Sequence, residues 1–269
     1  MSSSLTPIRR YLRITQRFGA IAVSIVACLS EYLLDALTGR FTRARRPYPL
    51  HRASVRLLRW FGVSIECHGT PPASGLIVSN HLSYLDILVF SAVAPCAFVA
   101  KREVKAWPGV GWIATLAGAV YIDRSRRSAT QAVQGQMAAS LAAGVRLVLF
   151  PEGTSSDGRQ ILPFRSSLLQ PAVENHAAIT AACIAYEIEG GDPAVDVCYH
   201  GDMVMAPHAA KLFGKGPVKA TLRFSATTKV HSDRKDAARE LCDEIAILRE
   251  QPESLAQAAA APLPEPISQ

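Results

Sequence analysis

Short apolar runs alternate with longer amphipathic or alanine-rich stretches over residues 63–249. Seven runs are of strand length and bounded by turn or polar residues: Val63–Cys67, Gly75–Val78, Ala97–Ala100, Val120–Ile122, Arg146–Phe150, Ile179–Tyr186 and Val218–Phe224. Helical patterns lie between or after them, at Ser83–Val93, Val110–Ala117, Ala129–Ala143 and Asp233–Arg249. This alternation predicts an α/β fold with a mostly parallel or mixed twisted sheet flanked by helices.

A longer apolar stretch precedes these elements. It runs from Phe18 past Ser30 to Leu37, between Arg17 and Arg40. Glu31 and Asp35 interrupt it, so no clean span of about 20 apolar residues results. We predict a helix, or a helix pair, that lies in a membrane interface. A core helix with solvated flanks and a spanning helix are the alternatives.

The positive charge is concentrated in the same part of the chain. The net charge is +7, yet residues 1–60 hold 11 arginines against two acids, and the remaining residues balance at −2. Arginines that bracket an apolar helix fit an anionic membrane surface better than nucleic acid. The apolar pattern continues past Cys28, which argues against a cleaved export signal. The six cysteines form no C-x-x-C pair, as expected for reduced thiols in the cytosol.

These patterns divide the chain into three parts. Residues 1–60 form the predicted membrane-association segment, and residues 61–250 form the predicted α/β domain. Residues 251–269 are rich in Ala and Pro and are predicted to be disordered. The sequence makes no prediction of the oligomeric state.

Polar side chains follow several of the predicted strands. Asn80-His81, Lys101, Asp123-Arg124 and Pro151-Glu152 all come at strand carboxyl ends. Functional groups of parallel sheets gather at that edge. We therefore expect these groups to line one site.

His81 and Asp86 are the candidates for chemistry. A carboxylate that binds one ring nitrogen of a histidine leaves the other nitrogen free to act as a general base. The alternative is a helix cap at Asn80 or Ser83 with a surface Asp86. A serine nucleophile would need a G-x-S-x-G elbow, which is missing. The histidines show no metal-ligand spacing, and the glycine pattern at 109–114 does not follow a strand.

Several blocks together resemble the glycerolipid acyltransferase family, specifically the bacterial 1-acyl-glycerol-3-phosphate acyltransferases. The family's N-H-x-S-x-x-D block is complete in residues 80–86. The further matching blocks are Val99-Ala100-Lys101-Arg102-Glu103, Gly118-Ala119-Val120-Tyr121-Ile122-Asp123-Arg124, Phe150-Pro151-Glu152-Gly153-Thr154 and Leu162-Pro163-Phe164-Arg165. The resemblance spans roughly residues 60–225 in the family's order.

The resemblance implies transfer of a fatty acyl group from acyl-CoA or acyl carrier protein to 1-acyl-glycerol-3-phosphate. The product would be phosphatidic acid, made for phospholipid biosynthesis at the cytoplasmic face of the inner or plasma membrane without a metal or cofactor. His81 would be the base and Asp86 its partner. The implied substrate-binding residues are Asn80, Ser83, Lys101, Arg124, Glu152, Gly153, Thr154 and Arg165. Of these, Lys101 and Arg124 would bind the phosphate of the acceptor.

One block departs from the family pattern. An arginine usually follows its threonine, whereas this chain has Ser155 after Thr154. Arg159 and Arg165 are the nearby replacements. The loss favours a lyso-ornithine lipid acceptor, which has no phosphate, while retained Lys101 and Arg124 favour lysophosphatidate, the acceptor that we predict. A non-catalytic membrane-binding scaffold is the alternative from another class.

Overall fold

A computed structural model describes residues 7–107, 109–122 and 129–251. The helices in these ranges are α1 (Pro7–Leu37), α2 (Pro47–Phe61), α3 (Leu85–Val93), α4 (Val110–Leu116), α5 (Ala129–Ala142), α6 (Ser166–Glu174), α7 (Pro193–Asp196), α8 (Met205–Phe213) and α9 (Arg234–Glu250). The strands are β1 (Val63–His68), β2 (Gly75–Ser79), β3 (Cys96–Lys101), β4 (Val120–Ile122), β5 (Arg146–Leu149), β6 (Ile179–Ile188) and β7 (Val218–Lys229). A 3₁₀ helix at Arg102–Ala106 follows β3.

The seven strands form one sheet in the order β1-β7-β6-β2-β5-β3-β4. Neighbouring strands are parallel except β6 and β7, which are antiparallel. Within the described ranges, β4 is the last strand on its side and its outer edge pairs with no further strand. The predicted α/β fold with a mostly parallel sheet is therefore confirmed.

Helices cover both faces of the sheet, because apolar side chains of its strands point alternately to one face and to the other. On β2, Leu76 and Val78 pack into one core with residues of α5, α6 and α9. Ile77 points to the opposite face, into a second core with residues of α1, α2, α3 and α8. Central parallel strands that are apolar on both sides are typical of such layered folds.

The N-terminal helices combine packing with exposure. Small or polar α1 residues, Ala20, Ser24 and Cys28, are buried at a spacing of four along one face. Large apolar side chains on the same helix, such as Val23, Val26, Leu33, Leu34 and Leu37, are exposed. By length and composition, Ile8–Leu37 is the one described helix that could cross a membrane.

Helix α2 passes directly into the sheet. Pro47 stands in its first turn, where a missing N–H costs nothing. Gly62 ends it in the left-handed conformation at φ 68°, and Val63 begins β1 at once. Leu50, Leu57 and Phe61 of α2 join the core beneath the sheet. The proposed boundary at residue 60 stays a prediction.

Candidate active site

His81 and Asp86 form the centre of the site. His81 follows the carboxyl end of β2, and Asp86 lies in the first turn of α3. The Nδ1 atom of His81 lies 2.7 Å from Oδ2 of Asp86. The Asp86 side chain is fully buried, whereas that of His81 is 23% exposed. With Nδ1–H donating to the carboxylate, Nε2 is the ring nitrogen that can accept a proton.

Asp86 is held by further donors. The backbone N–H groups of Leu82 and Ser83 donate to Oδ2 at 2.7 and 3.1 Å. The hydroxyl of Tyr186 donates to Oδ1 at 2.6 Å. Burial, followed by the nearby Asp86, raises the pKa of Tyr186 well above its usual value, so the hydroxyl keeps its proton. The carboxylate is thereby fixed in one orientation.

The amide side chain of Asn80 extends the pairing of β2 with β6. Its Nδ2 donates to the carbonyl of Ile184, and its Oδ1 accepts from the Ile184 N–H, both at 2.9 Å. Asn80 is buried, so both ends of its amide are engaged inside the protein. This arrangement fixes the chain at the point where His81 begins.

The third block stands beside the first. The ring of Phe150, at the end of β5, stacks on the ring of His81 with centroids 4.2 Å apart. Glu152 follows and is 2% exposed. Its two carboxyl oxygens form no aligned hydrogen bond with the described residues. Burial is the largest influence and, despite the backbone N–H groups of His81 and Leu162, raises the pKa of Glu152 to about 8.

The loop after Glu152 is tied to the histidine loop. The Ser156 N–H donates to the carbonyl of His81 at 2.9 Å. The Ser155 hydroxyl donates to the carbonyl of Tyr199. The N–H of Tyr199 donates in turn to the carbonyl of Leu82 at 2.8 Å. Ser155 therefore serves the packing of this loop.

The other predicted residues that the structure describes differ in their exposure. Lys101 is exposed at the end of β3, Thr154 is exposed, and Gly153 is buried with φ 71°. Arg165 is exposed, and its N–H donates to the carbonyl of Pro151 at 2.9 Å. Ser83 is buried, and its hydroxyl contacts no partner in the described ranges. Asp123 and Arg124 lie outside the described residues.

Two residues of this site are not predicted by the sequence. The apolar pattern places Tyr186 at the end of a strand without a role in the site, and no pattern points to Tyr199. Because β6 is parallel to β2, the carboxyl end of β6 meets the histidine loop. Tyr186 could have been found from that topology; Tyr199 lies in a loop and gives no such signal.

The arrangement can perform base-assisted transfer. It offers an oriented, partly exposed imidazole next to a buried carboxyl group whose raised pKa keeps it protonated at neutral pH. In the described ranges, no three His, Cys, Asp or Glu side chains are grouped so as to hold a metal ion. The backbone N–H groups of Leu82 and Ser83 donate to Asp86. The N–H of Gly153 donates to the carbonyl of Phe150 at 3.1 Å.

Comparison with known proteins defines the class. The family model described as Acyltransferase matches residues 64–185. A lyso-ornithine lipid O-acyltransferase from Brucella abortus is 34% identical over 248 residues, 85% of this chain and 90% of the relative. A 1-acyl-sn-glycerol-3-phosphate acyltransferase from Neisseria gonorrhoeae is 37% identical over 120 residues, 45% of this chain and 47% of that protein. The chain belongs to the acyltransferase family, and it is an enzyme of that class.

A solved structure has the same fold. The 1-acyl-sn-glycerophosphate acyltransferase PlsC from Thermotoga maritima matches with a TM-score of 0.64, covering 91% of this chain and 98% of that one. Because the two sequences are only 22% identical, this match shows a common fold alone. The apolar helix α1 and the kinship with lipid acyltransferases are consistent with membrane association.

Proposed function

We propose that this enzyme moves a fatty acyl group from acyl-CoA or acyl carrier protein to the free hydroxyl of a lysolipid, with lyso-ornithine lipid as the preferred acceptor. The contact that carries this proposal is the 2.7 Å bond between His81 Nδ1 and Asp86 Oδ2. It orients the imidazole so that its other ring nitrogen faces away from the carboxylate. Acyl transfer to a hydroxyl requires such a base.

The reaction follows from this geometry. His81 Nε2 takes the proton of the acceptor hydroxyl as its oxygen attacks the thioester carbonyl. Asp86 stabilises the imidazolium that forms. The carbon–sulfur bond then breaks, and the thiolate takes the proton back from His81 as it leaves. All atoms balance without a metal or redox cofactor.

Glu152 has a different role in this proposal. With a pKa of about 8, its carboxyl group is mostly protonated at neutral pH and can donate a hydrogen bond. Both oxygens are buried without an aligned donor in the described ranges, so an acceptor hydroxyl or headgroup would satisfy them. We assign Glu152 to acceptor binding, together with the adjacent Gly153 and Thr154. Asn80 positions His81 through β6.

The order of acceptors rests on the loop after Thr154. Ser155 brings no cation, and its hydroxyl is bonded to Tyr199. Arg159 is exposed, and its guanidinium lies 3.7 Å from Asp157. Similarity over most of the chain to lyso-ornithine lipid acyltransferases supports the same order. Exposed Lys101 and the match to 1-acylglycerol-3-phosphate acyltransferases support lysophosphatidate, predicted from the sequence, as the second candidate.

The location is part of the proposal. The exposed apolar side chains of α1 would enter the membrane interface, and the arginines that flank it would bind anionic headgroups. All six cysteines are free, in agreement with a cytoplasmic site.

Competition between the two acceptors tests the function. The purified enzyme is given lyso-ornithine lipid and lysophosphatidate in equal amounts with one acyl-CoA, and the two products are quantified. We expect the ornithine product to dominate. Preferential formation of phosphatidic acid would reverse the order of acceptors. No product from either acceptor, with acyl-CoA and with acyl carrier protein as donor, would refute the proposed function.

A substitution at position 155 sharpens this test. Ser155→Arg restores the charge that the family places there. We expect it to raise use of lysophosphatidate relative to lyso-ornithine lipid by about tenfold or more, the effect of one charged hydrogen bond. Ser155→Ala is the matched control, since it also removes the bond to Tyr199 but adds no charge. An equal change in both variants would contradict the role given to this position.

A further inference from the structure

A groove with concentrated positive charge runs along the outer edge of β4. Its volume is about 660 Å³, within the range of small-molecule sites. Arg43, Arg46, Arg102 and Lys105 line it, and Gln136 of α5 forms part of the facing wall. None of its described lining residues is acidic. The groove is therefore suited to an anion.

The fold itself brings these cations together. The Arg46 guanidinium donates to the carbonyls of Leu116, at 2.8 Å, and of Thr115 at the end of α4. Burial, followed by the charge of Arg43, lowers the pKa of Arg46. The Lys105 ammonium lies 5.9 Å from the ring centroid of Tyr121 on β4. Like charges that line one groove repel each other, and a bound anion would relieve that repulsion.

The distance of the groove from His81 limits which anion it can bind. His81 follows β2, and β4 lies three positions away in the sheet, beyond β5 and β3. Three strand spacings amount to roughly 14 Å. In lysophosphatidate only a short stretch of glycerol separates the phosphate from the free hydroxyl, so a hydroxyl at His81 keeps its phosphate out of this groove.

The acyl donor has the complementary shape. In acyl-CoA a long, uncharged pantetheine arm separates the thioester from a diphosphate and a ribose 3′-phosphate. With the thioester at His81, the arm can cross the ends of β5 and β3 and place the phosphates among the four cations. Arginine and lysine side chains are the usual partners of such phosphates.

We propose that this groove binds the nucleotide phosphates of acyl-CoA and so makes coenzyme A the donor carrier. The assignment rests on the proposed acyl transfer at His81. It adds a binding site on the edge of the sheet, formed by the α1–α2 connection, the 3₁₀ helix after β3, β4 and α5.

A double variant tests the groove. Arg43→Gln with Lys105→Gln removes two charges and spares Arg46, which holds the end of α4. We expect the KM for acyl-CoA to rise at least about tenfold. The KM for the lysolipid and the rate with the same acyl chain on pantetheine alone should stay unchanged. Adenosine 3′,5′-bisphosphate should inhibit the native enzyme in competition with acyl-CoA and lose this effect in the variant.

Lys235→Gln with Arg239→Gln is the matched control. It also removes two positive charges, here from exposed side chains of α9. We expect no change in the KM for acyl-CoA. A rise equal to that of the double variant would assign the effect to overall charge and overturn the proposal.

Other outcomes would also overturn it. An unchanged KM for acyl-CoA with weaker binding to vesicles of anionic lipid would make the groove a site for membrane headgroups. Activity with acyl carrier protein but not with acyl-CoA would exclude acyl-CoA as the donor and its nucleotide as the ligand of the groove. These results leave acyl transfer intact, whereas failure of the native enzyme with every donor would refute the proposed function itself.

Discussion

Two buried carboxyl groups at the same edge of the sheet have opposite surroundings. Asp86 accepts bonds from His81, Leu82, Ser83 and Tyr186. Glu152 is almost as deeply buried, yet neither of its oxygens has an aligned donor among the described residues. A carboxylate surrounded by donors can orient a base, whereas a desolvated carboxyl group holds its proton and is available to a ligand. Two acids thus acquire two roles from their environments.

Asp86→Asn should give the largest effect. His81 Nδ1 and the two backbone N–H groups share Oδ2, so the amide either keeps its oxygen there or turns its NH₂ towards all three donors. In both orientations the imidazolium loses the negative charge that stabilises it. We expect acyl transfer to fall by about 10²–10⁴, as for loss of a general base. Asp196→Asn, at another buried acid, is the control and should leave transfer per folded molecule unchanged. Near-native activity of Asp86→Asn would contradict the role of Asp86 in orienting and stabilising His81.

Glu152→Gln should change the pH dependence of stability. The native pKa of about 8 lies above the usual 4.5, so the folded state binds the extra proton between these values. Its contribution is fully present below pH 4.5 and is lost as pH rises to about 8, by several kcal/mol in all. Unfolding in denaturant across this range should show a decline that the variant lacks. Parallel curves for the two proteins would show that Glu152 ionises normally.

Tyr186→Phe should have a smaller effect. It removes the hydroxyl that donates to Asp86 Oδ1 and leaves that buried oxygen without its donor. We expect the free energy of unfolding to fall by about 1–3 kcal/mol and transfer to decline modestly. Tyr84→Phe, at a partly exposed tyrosine that bonds His208, is the control. A loss of activity as large as that of Asp86→Asn would mean that Tyr186 itself takes part in the reaction.

The sequence predicted local elements better than their assembly. All seven strands lie where the apolar runs indicated, and residues 80–86 contain the predicted pair. The antiparallel pairing of β6 with β7 and the short helices α6 and α8 were not predicted, since sheet order is decided by packing between distant segments. Pro171 inside α6 also disguises that helix in the sequence.

The same limit applies to the site. Spacing predicted the bond between His81 and Asp86 because both lie in one short loop and helix start. The bond from Tyr186 comes from β6, 100 residues beyond Asp86 in the chain. The burial of Glu152 depends on the folded packing around it and leaves no local pattern in the sequence. The engagement of Ser155 by Tyr199 is likewise a tertiary contact.

The central claim is that His81 is the base of acyl transfer. The measurement is the rate of lysolipid acylation by purified His81→Ala, with folding verified by its unfolding transition and acyl-CoA and lysolipid at saturation. The rate should fall by at least about 10²–10⁴ relative to the native enzyme. A folded His81→Ala that acylates lyso-ornithine lipid and lysophosphatidate at native rates would contradict it.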